Sequence, residues 1–258
     1  MDHLLSILPT FLLVLVRIST FFIVAPFFSY RTIPSSHKIG FSALLAIVLT
    51  SAIGAEAIPI DGRFLLLSLK ECMVGISLGL IAYIAFSAIQ TAGSFIDFQM
   101  GFAIASVIDP QTGAQSPLVG QYLSIFAMLF LLSVDGHHLL INGLYESFQL
   151  VPLSQLSLHF GEESFIKTVI YGFSSMFAIA LQLSLPIVAA IFLVDVALGI
   201  VARTVPQLNI FVVGFPVKIM VTFLLLIIVI GSLFSVMKEV FDLMLEVMMQ
   251  LAARLGGE

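Results

Sequence analysis

The sequence has little charge, no tryptophan and a single cysteine. Only 10% of its 258 residues are Asp, Glu, Lys or Arg, whereas a soluble domain has about 25%, so a soluble enzyme is excluded first. The one cysteine, Cys72, has no second cysteine in the sequence with which to form a disulfide. The ten Lys and Arg residues are scattered singly within a net charge of −5, which excludes a basic stripe for nucleic acid.

Long apolar runs take the place of the missing charge. Apolar residues make up 60% of the sequence, and its mean hydropathy is +1.18. Residues 72–96, 168–194 and 219–237 contain no charged side chain, and each run is long enough to cross about 30 Å of hydrocarbon as a helix. The sequence therefore predicts an all-α membrane protein with about six long hydrophobic helices in hairpins, in residues 4–28, 39–55, 64–96 and 118–134 and from about 168 and 208.

Charged residues interrupt several of these spans. Arg17 lies in the first span, the pair Lys70–Glu71 in the third and Lys218 in the last. A mid-helix Lys or Arg costs about 2.5–3.5 kcal/mol on insertion scales, although Lys70 and Lys218 are also compatible with snorkelling to the membrane interface. Arg17 is far from both ends of its span, so we expect it to face protein or water. Three prolines lie within or at the ends of apolar spans: Pro26, Pro186 and Pro216.

Residues 101–120 read GFAIASVIDPQTGAQSPLVG and separate two apolar runs. Turn-forming residues dominate 109–117, which excludes a continuous helix. The segment is compatible with a solvent-exposed loop and with a re-entrant or pore-occluding loop, because non-helical backbone is tolerated at membrane depth where it lines a water-filled cavity. The residues of this loop that we single out are Asp109, Pro110, Gln111, Thr112, Gly113, Gln115, Ser116 and Pro117.

The motif Asp135-Gly136-His137-His138 has the residue types of a metal or acid–base site. No further His, Cys or acidic residue follows at a usual ligand spacing, however. We therefore expect no metal site and no cofactor. The motif is expected instead to cap the helix that follows it.

The C-terminal residues have the pattern of an amphipathic helix. One stripe is apolar and rich in methionine: Met237, Val240, Phe241, Met244, Met248, Leu251 and Leu255. A second stripe is polar: Glu239, Asp242, Glu246 and Gln250. The pattern is typical of a helix that lies on a membrane surface and equally of one that docks on a partner.

Two longer motifs carry a family resemblance. The first is DGHHLLINGLYESFQLVPLS at residues 135–154, and the second is ARTVPQLNIFVVGFPVK at 202–218. With the Asp-Pro loop at 109–110, they make the sequence similar to the FliR family of flagellar export-gate proteins, which has a related family in virulence secretion systems. The more specific residues are those of the second motif: Arg203, Pro206, Gln207, Asn209, Gly214, Pro216 and Lys218.

The resemblance implies a structural role without enzymatic chemistry. It implies one copy of the chain in an inner-membrane gate of the flagellar basal body, assembled with FliP and FliQ and contacted by FlhB and FlhA, through which unfolded flagellar proteins pass. Residues 1–167 would be a FliP-like part with its loop at 106–120, 168–237 a FliQ-like hairpin whose link faces FlhB, and 238–258 an amphipathic tail. The loop would plug the closed channel. Neighbouring subunits and a wet lumen would surround Arg17, Lys70 and Glu71.

Two other classes of function remain as alternatives. A secondary transporter or ion channel also uses broken helices and embedded charges, although the two halves of this sequence show no matching pair of interrupted helices. An intramembrane enzyme would need Asp135, His137 and His138 to converge with a further ligand.

Overall fold

The computed structural model describes residues 2–30, 32–54, 58–102, 118–207 and 209–257. Within those ranges every regular element is an α-helix. The helices are α1 (Asp2–Val24), α2 (Ser35–Ile53), α3 (Gly62–Met100), α4 (Leu118–Ser133), α5 (Gly136–Leu150), α6 (Glu163–Thr204) and α7 (Ile210–Gly256).

Five of these helices, α1, α2, α3, α6 and α7, are long and apolar enough to cross a membrane. A sixth span results if α4 and α5, which are separated by a short break, are counted together. The predicted all-α membrane architecture with about six apolar helices is therefore confirmed.

The apolar pattern predicts a link at residues 195–207 between the last two spans, but the connection in the structure is much shorter. Residues 195–204 belong to α6, so only residues 205–209 connect α6 to α7 in the chain. The predicted span ends where Asp195 interrupts the apolar run, but the helix continues, since Lys218 of α7 forms an ion pair with that carboxylate. Pro186 and Pro216 also lie inside helices rather than at their ends.

The chain forms two compact units. Unit 1 comprises residues 1–86, 134–174 and 241–258, and unit 2 comprises residues 87–133 and 175–240. The N-terminal and C-terminal stretches of the sequence therefore belong to the same unit.

In unit 1, α1 and α3 approach each other closely at a glycine. A Cβ atom added to Gly75 of α3 would collide with the backbone oxygen of Arg17 and the hydroxyl of Thr20 in α1. Small residues allow such backbone contact between membrane helices. This contact brings the charged residue of α1 next to the third span.

The predicted amphipathic pattern at the C-terminus is confirmed: its apolar stripe is buried, and from Phe241 onward the stripe belongs to unit 1. Phe241 lies parallel to Phe86 of α3, with 6.4 Å between ring centroids. Gln155 donates to the carbonyl of Gly256 at 3.1 Å, and a ring nitrogen of His159 lies 3.4 Å from the carbonyl of Leu255. Because the chain itself covers the stripe, this face is not open to a membrane surface or to a partner.

In unit 2, the helices α6 and α7 leave most of their apolar surface uncovered. In the most apolar window of each helix, only 11% of α6 and 17% of α7 are buried, compared with 56% for α3. Exposed aliphatic and aromatic side chains of this kind require hydrocarbon or another apolar protein surface around them.

We expect Gly75→Ala to destabilise the protein, because the new methyl group forces two helix backbones apart. The expected cost is about 1–3 kcal/mol, and a chain of this size loses roughly 2–4 °C in melting temperature per kcal/mol. Gly231→Ala in α7 is the control, since no atom lies within 4 Å of its added Cβ. Thermal unfolding of both variants in detergent tests the prediction, and equal melting temperatures would contradict it.

Candidate functional site

Three charged residues meet in the interior of unit 1, and we call them the charge cluster: Arg17 of α1 with Lys70 and Glu71 of α3. Their side chains are 0%, 3% and 0% exposed. The Glu71 carboxylate lies between the two cations, with Oε2 accepting from Arg17 Nε and Oε1 facing Lys70 Nζ. The cluster carries one net positive charge.

The end of α5 supplies the remaining partners of Arg17. Its Nη1 donates to the carbonyl of Ser147 at 2.8 Å and to the hydroxyl of the same residue at 3.2 Å. Nη2 donates to the carbonyl of Val151 at 2.7 Å. The guanidinium carbon lies 4.1 Å from the centre of the Phe148 ring, within the range of a cation–π contact.

Lys70 continues this pattern just beyond α5. Its Nζ donates to the carbonyls of Pro152 at 2.9 Å and Leu153 at 3.3 Å. Four carbonyls thus face the two cations: that of Ser147 in the last turn of α5, and those of Val151, Pro152 and Leu153 directly after the helix. Hydrogen bonds to charged groups are stronger than neutral ones, so these carbonyls offset the excess positive charge of the cluster.

The partners of the embedded charges thus come from the chain itself. The family resemblance led us to expect neighbouring subunits and a wet lumen around Arg17, Lys70 and Glu71, whereas each of the three has ion-pair or hydrogen-bond partners within unit 1. Their chemistry is ionic and hydrogen-bonding, and it joins α1, α3 and α5.

A second polar group lies in unit 2. Lys218 Nζ of α7 forms an ion pair with Asp195 Oδ1 of α6, and Gln99 Nε2 of α3 donates to the other carboxylate oxygen at 3.0 Å. The side chains of Lys218 and Asp195 are only 20% and 35% exposed. Lys218 therefore pairs with a neighbouring helix and does not snorkel.

The other residues of the second motif lie around the short connection between α6 and α7. Arg203 is in the last turn of α6, Pro206 and Gln207 form the turn, and Asn209 directly precedes α7. All four are exposed. Gly214 and Pro216 lie within the first turns of α7, Gly214 buried and Pro216 exposed.

The loop residues singled out from the sequence, 109–117, lie outside the described residues. Of the region around them, the structure describes α3 up to Met100, the turn residues 101 and 102, and α4 from Leu118.

The motif at 135–138 is arranged differently from the predicted cap. Asp135 occupies the position before α5, and its backbone has a φ of 56°. Its side chain makes no capping hydrogen bond. Its backbone oxygen accepts from His138 N at 2.9 Å. Ligand atoms of Asp135, His137 and His138 lie within 4.8 Å of one another. The cluster stands at a helix N-terminus, where partial positive charge opposes a cation, so we assign it no metal.

Several residues of these sites carried no signal in the sequence. Ser147, Val151, Pro152 and Leu153 contribute backbone carbonyls, which every residue type has, so no motif could identify them. Asp195 is an exception, because its position could have been recognised from the sequence. It is an acidic residue within a long apolar helix, where an unpaired charge is costly, so a partner is expected.

Comparison with known proteins gives a consistent family. The family described as bacterial export proteins, family 1, matches residues 8–244. The flagellar biosynthetic protein FliR of Bacillus subtilis is 52% identical over 257 residues, covering 99% of each chain. The protein of the same name from Pectobacterium carotovorum is 35% identical with 92% of each chain covered, and that of Escherichia coli is 31% identical, with 80% of this chain and 78% of the relative covered.

We expect Glu71→Gln to destabilise unit 1 strongly, because it leaves two buried cations without their counter-charge. Breaking a buried ion pair costs about 3–5 kcal/mol. The matched control is Glu163→Gln, which neutralises the exposed pair with Lys167 and is expected to cost at most about 1 kcal/mol. Thermal unfolding in detergent compares the two variants. If Glu71→Gln lowers the melting temperature no more than the control does, the charge cluster contributes no more to stability than an exposed ion pair, and the prediction is wrong.

Proposed function

The chain belongs to family 1 of the bacterial export proteins, and from that premise we propose that it is a structural, non-enzymatic component of flagellar protein export in the inner membrane at the basal body. The match covers most of the chain, and three relatives named flagellar biosynthetic protein FliR support the flagellar branch. Five to six apolar helices support a multi-pass membrane location.

We further propose that the chain assembles with FliP and FliQ as one copy in an export gate. The observation that carries this step is the uncovered apolar surface of α6 and α7, of which only 11% and 17% are buried in the most apolar windows. In this proposal, residues 1–167 act as the FliP-like part and 168–237 as the FliQ-like hairpin that packs against sister subunits. The tail at 238–258 continues from that hairpin without a helix break.

The exposed turn between α6 and α7 is proposed to face FlhB at the cytoplasmic mouth. Arg203, Pro206, Gln207 and Asn209 are exposed there, and such a turn offers a polar surface at the end of an apolar hairpin. FlhA and the export ATPase would deliver unfolded flagellar proteins to this mouth, and proton motive force would drive their passage.

The loop predicted at 106–120, whose last three residues form the first turn of α4, is proposed to plug the closed channel. Its sequence contains no Lys or Arg, and residues 109–117 are mostly turn formers. Non-helical backbone is tolerated at membrane depth only where protein or a water-filled cavity surrounds it. The chain would then supply the seal and break the symmetry of the ring, while the charge cluster keeps unit 1 rigid.

We expect this chain to co-purify with two small hydrophobic partners in a complex of defined mass. Native mass measurement of the detergent-extracted complex checks this, because the uncovered faces of α6 and α7 need protein partners in a gate. A transporter or channel would instead be isolated as a single polypeptide or as a homo-oligomer. Recovery of the chain without partners from cells that express the whole export system would contradict the assembly.

Deletion of residues 111–116 is expected to raise ion leakage without preventing assembly, because the deletion removes most of the polar plug. Leakage is measured as ion conductance of the purified complex in planar bilayers. Co-purification of the partners at the level of the unaltered protein is the control for assembly. Unchanged conductance in an intact complex would contradict the plug role.

A further inference from the structure

The C-terminal end of α3 is closed by a Schellman motif. Gly101 adopts φ of 91°, which a glycine accepts without strain. Its N–H donates to the carbonyl of Phe98 at 3.1 Å, and the N–H of Phe102 donates to the carbonyl of Asp97 at 3.1 Å. The backbone of Asp97 therefore holds Phe102, the last described residue before the segment 103–117.

The side chain of the same aspartate caps the next helix. Val119 N donates to Asp97 Oδ2 at 2.9 Å and to Oδ1 at 3.2 Å, and Gly120 N donates to Oδ2 at 3.2 Å. These N–H groups belong to the first turn of α4, where the helix itself provides no acceptors and negative charge is favoured. Asp97 is only 5% exposed, so water does not compete strongly for these bonds.

One residue thus bonds the described chain on both sides of 103–117. A close contact between α3 and α4 supports this arrangement, because a Cβ atom added to Gly93 would collide with the backbone of Gly120. The chain leaves α3 and enters α4 at a shared point, and we call this point the base.

The base is also attached to α6 and α7 within unit 2. Two residues beyond Asp97 along α3, Gln99 donates to Asp195, which pairs with Lys218. The Phe102 ring packs edge-on against Phe215 of α7, with 5.6 Å between centroids. Three helices, α3, α6 and α7, therefore meet through polar and aromatic contacts next to the base.

We propose that Asp97 is a positioning residue for the segment 103–117, and that the Asp195–Lys218 pair fixes the base against α6 and α7. The carboxylate of Asp97 sets where the segment ends and α4 begins, and the ion pair keeps that point from shifting along the hairpin. This inference rests on the proposed plug for its consequence in export, whereas the fixation of the base is a property of unit 2 alone.

The test of Asp97 uses hydrogen exchange in the purified complex. Asp97→Ala removes both capping acceptors, so the amides of Val119 and Gly120 are expected to exchange about fivefold faster, the factor that corresponds to a typical loss of an N-cap. Asp97→Asn keeps one acceptor oxygen without the charge. Its exchange rate at these amides is expected to lie between those of the unaltered protein and Asp97→Ala. Ion conductance is expected to rise in Asp97→Ala with the partners still bound. Unchanged exchange at these amides would overturn the proposal.

The two proposals fail in different ways. If deletion of 111–116 raises conductance and Asp97→Ala does not, although exchange at Val119 is faster, the positioning role is overturned and the plug stands. If neither variant raises conductance, the plug itself is overturned. In that case the exchange data still report whether the base is fixed.

Exchange of the two charges provides a second test that does not depend on Asp97. Asp195→Lys and Lys218→Asp, each alone, place like charges together and are expected to raise conductance. The double variant restores the ion pair in reverse and is expected to return conductance towards that of the unaltered complex. Lys167→Glu, at the exposed pair with Glu163, is the control and is expected to change nothing. No recovery in the double variant would overturn the role of the pair.

Discussion

A guanidinium, an ammonium and a carboxylate lie out of contact with solvent in unit 1, and the packing of α1, α3 and α5 depends on satisfying them. Each charge would be costly alone in an apolar environment. Glu71 neutralises one cation, and the carbonyls at the end of α5 offset the other. The position of α5 relative to α1 and α3 is therefore set by directional bonds, which apolar contacts alone do not provide.

The two units differ in where their buried polar groups and their exposed apolar helices lie. In unit 1, Arg17, Lys70 and Glu71 have their partners within the unit, and the part of the methionine-rich stripe from Phe241 to Leu255 is buried. Unit 2 contains most of α6 and α7, whose most apolar windows are 11% and 17% buried, and α2 of unit 1 is 22% buried. Apolar helix faces that the chain leaves exposed require lipid or another apolar protein surface around them.

The sequence predicted those features that depend on local pattern. Charge-free runs identified the spans, and the repeat of Met and Leu at helical spacing identified the buried face of the C-terminal helix. It could not predict the partners of Arg17, because they lie up to 134 residues away and include backbone carbonyls. The fifth predicted span ends at Asp195, because a single charge looks like a boundary until its partner, Lys218, is known. The sequence did not indicate Asp97 as a helix cap, because its carboxylate oxygens accept from N–H groups of α4 and not from its own helix, α3.

The separation along the chain between Arg17 and its acceptors has a consequence for biosynthesis. When α1 leaves the ribosome, neither Glu71 nor the carbonyls of Ser147 and Val151 have been made. The guanidinium therefore lacks these partners, and stays at the translocon or near the lipid headgroups, until more than half of the polypeptide has been synthesised. The first helix is then seated late in synthesis, and the core of unit 1 closes last of all, when residues 241–258 arrive.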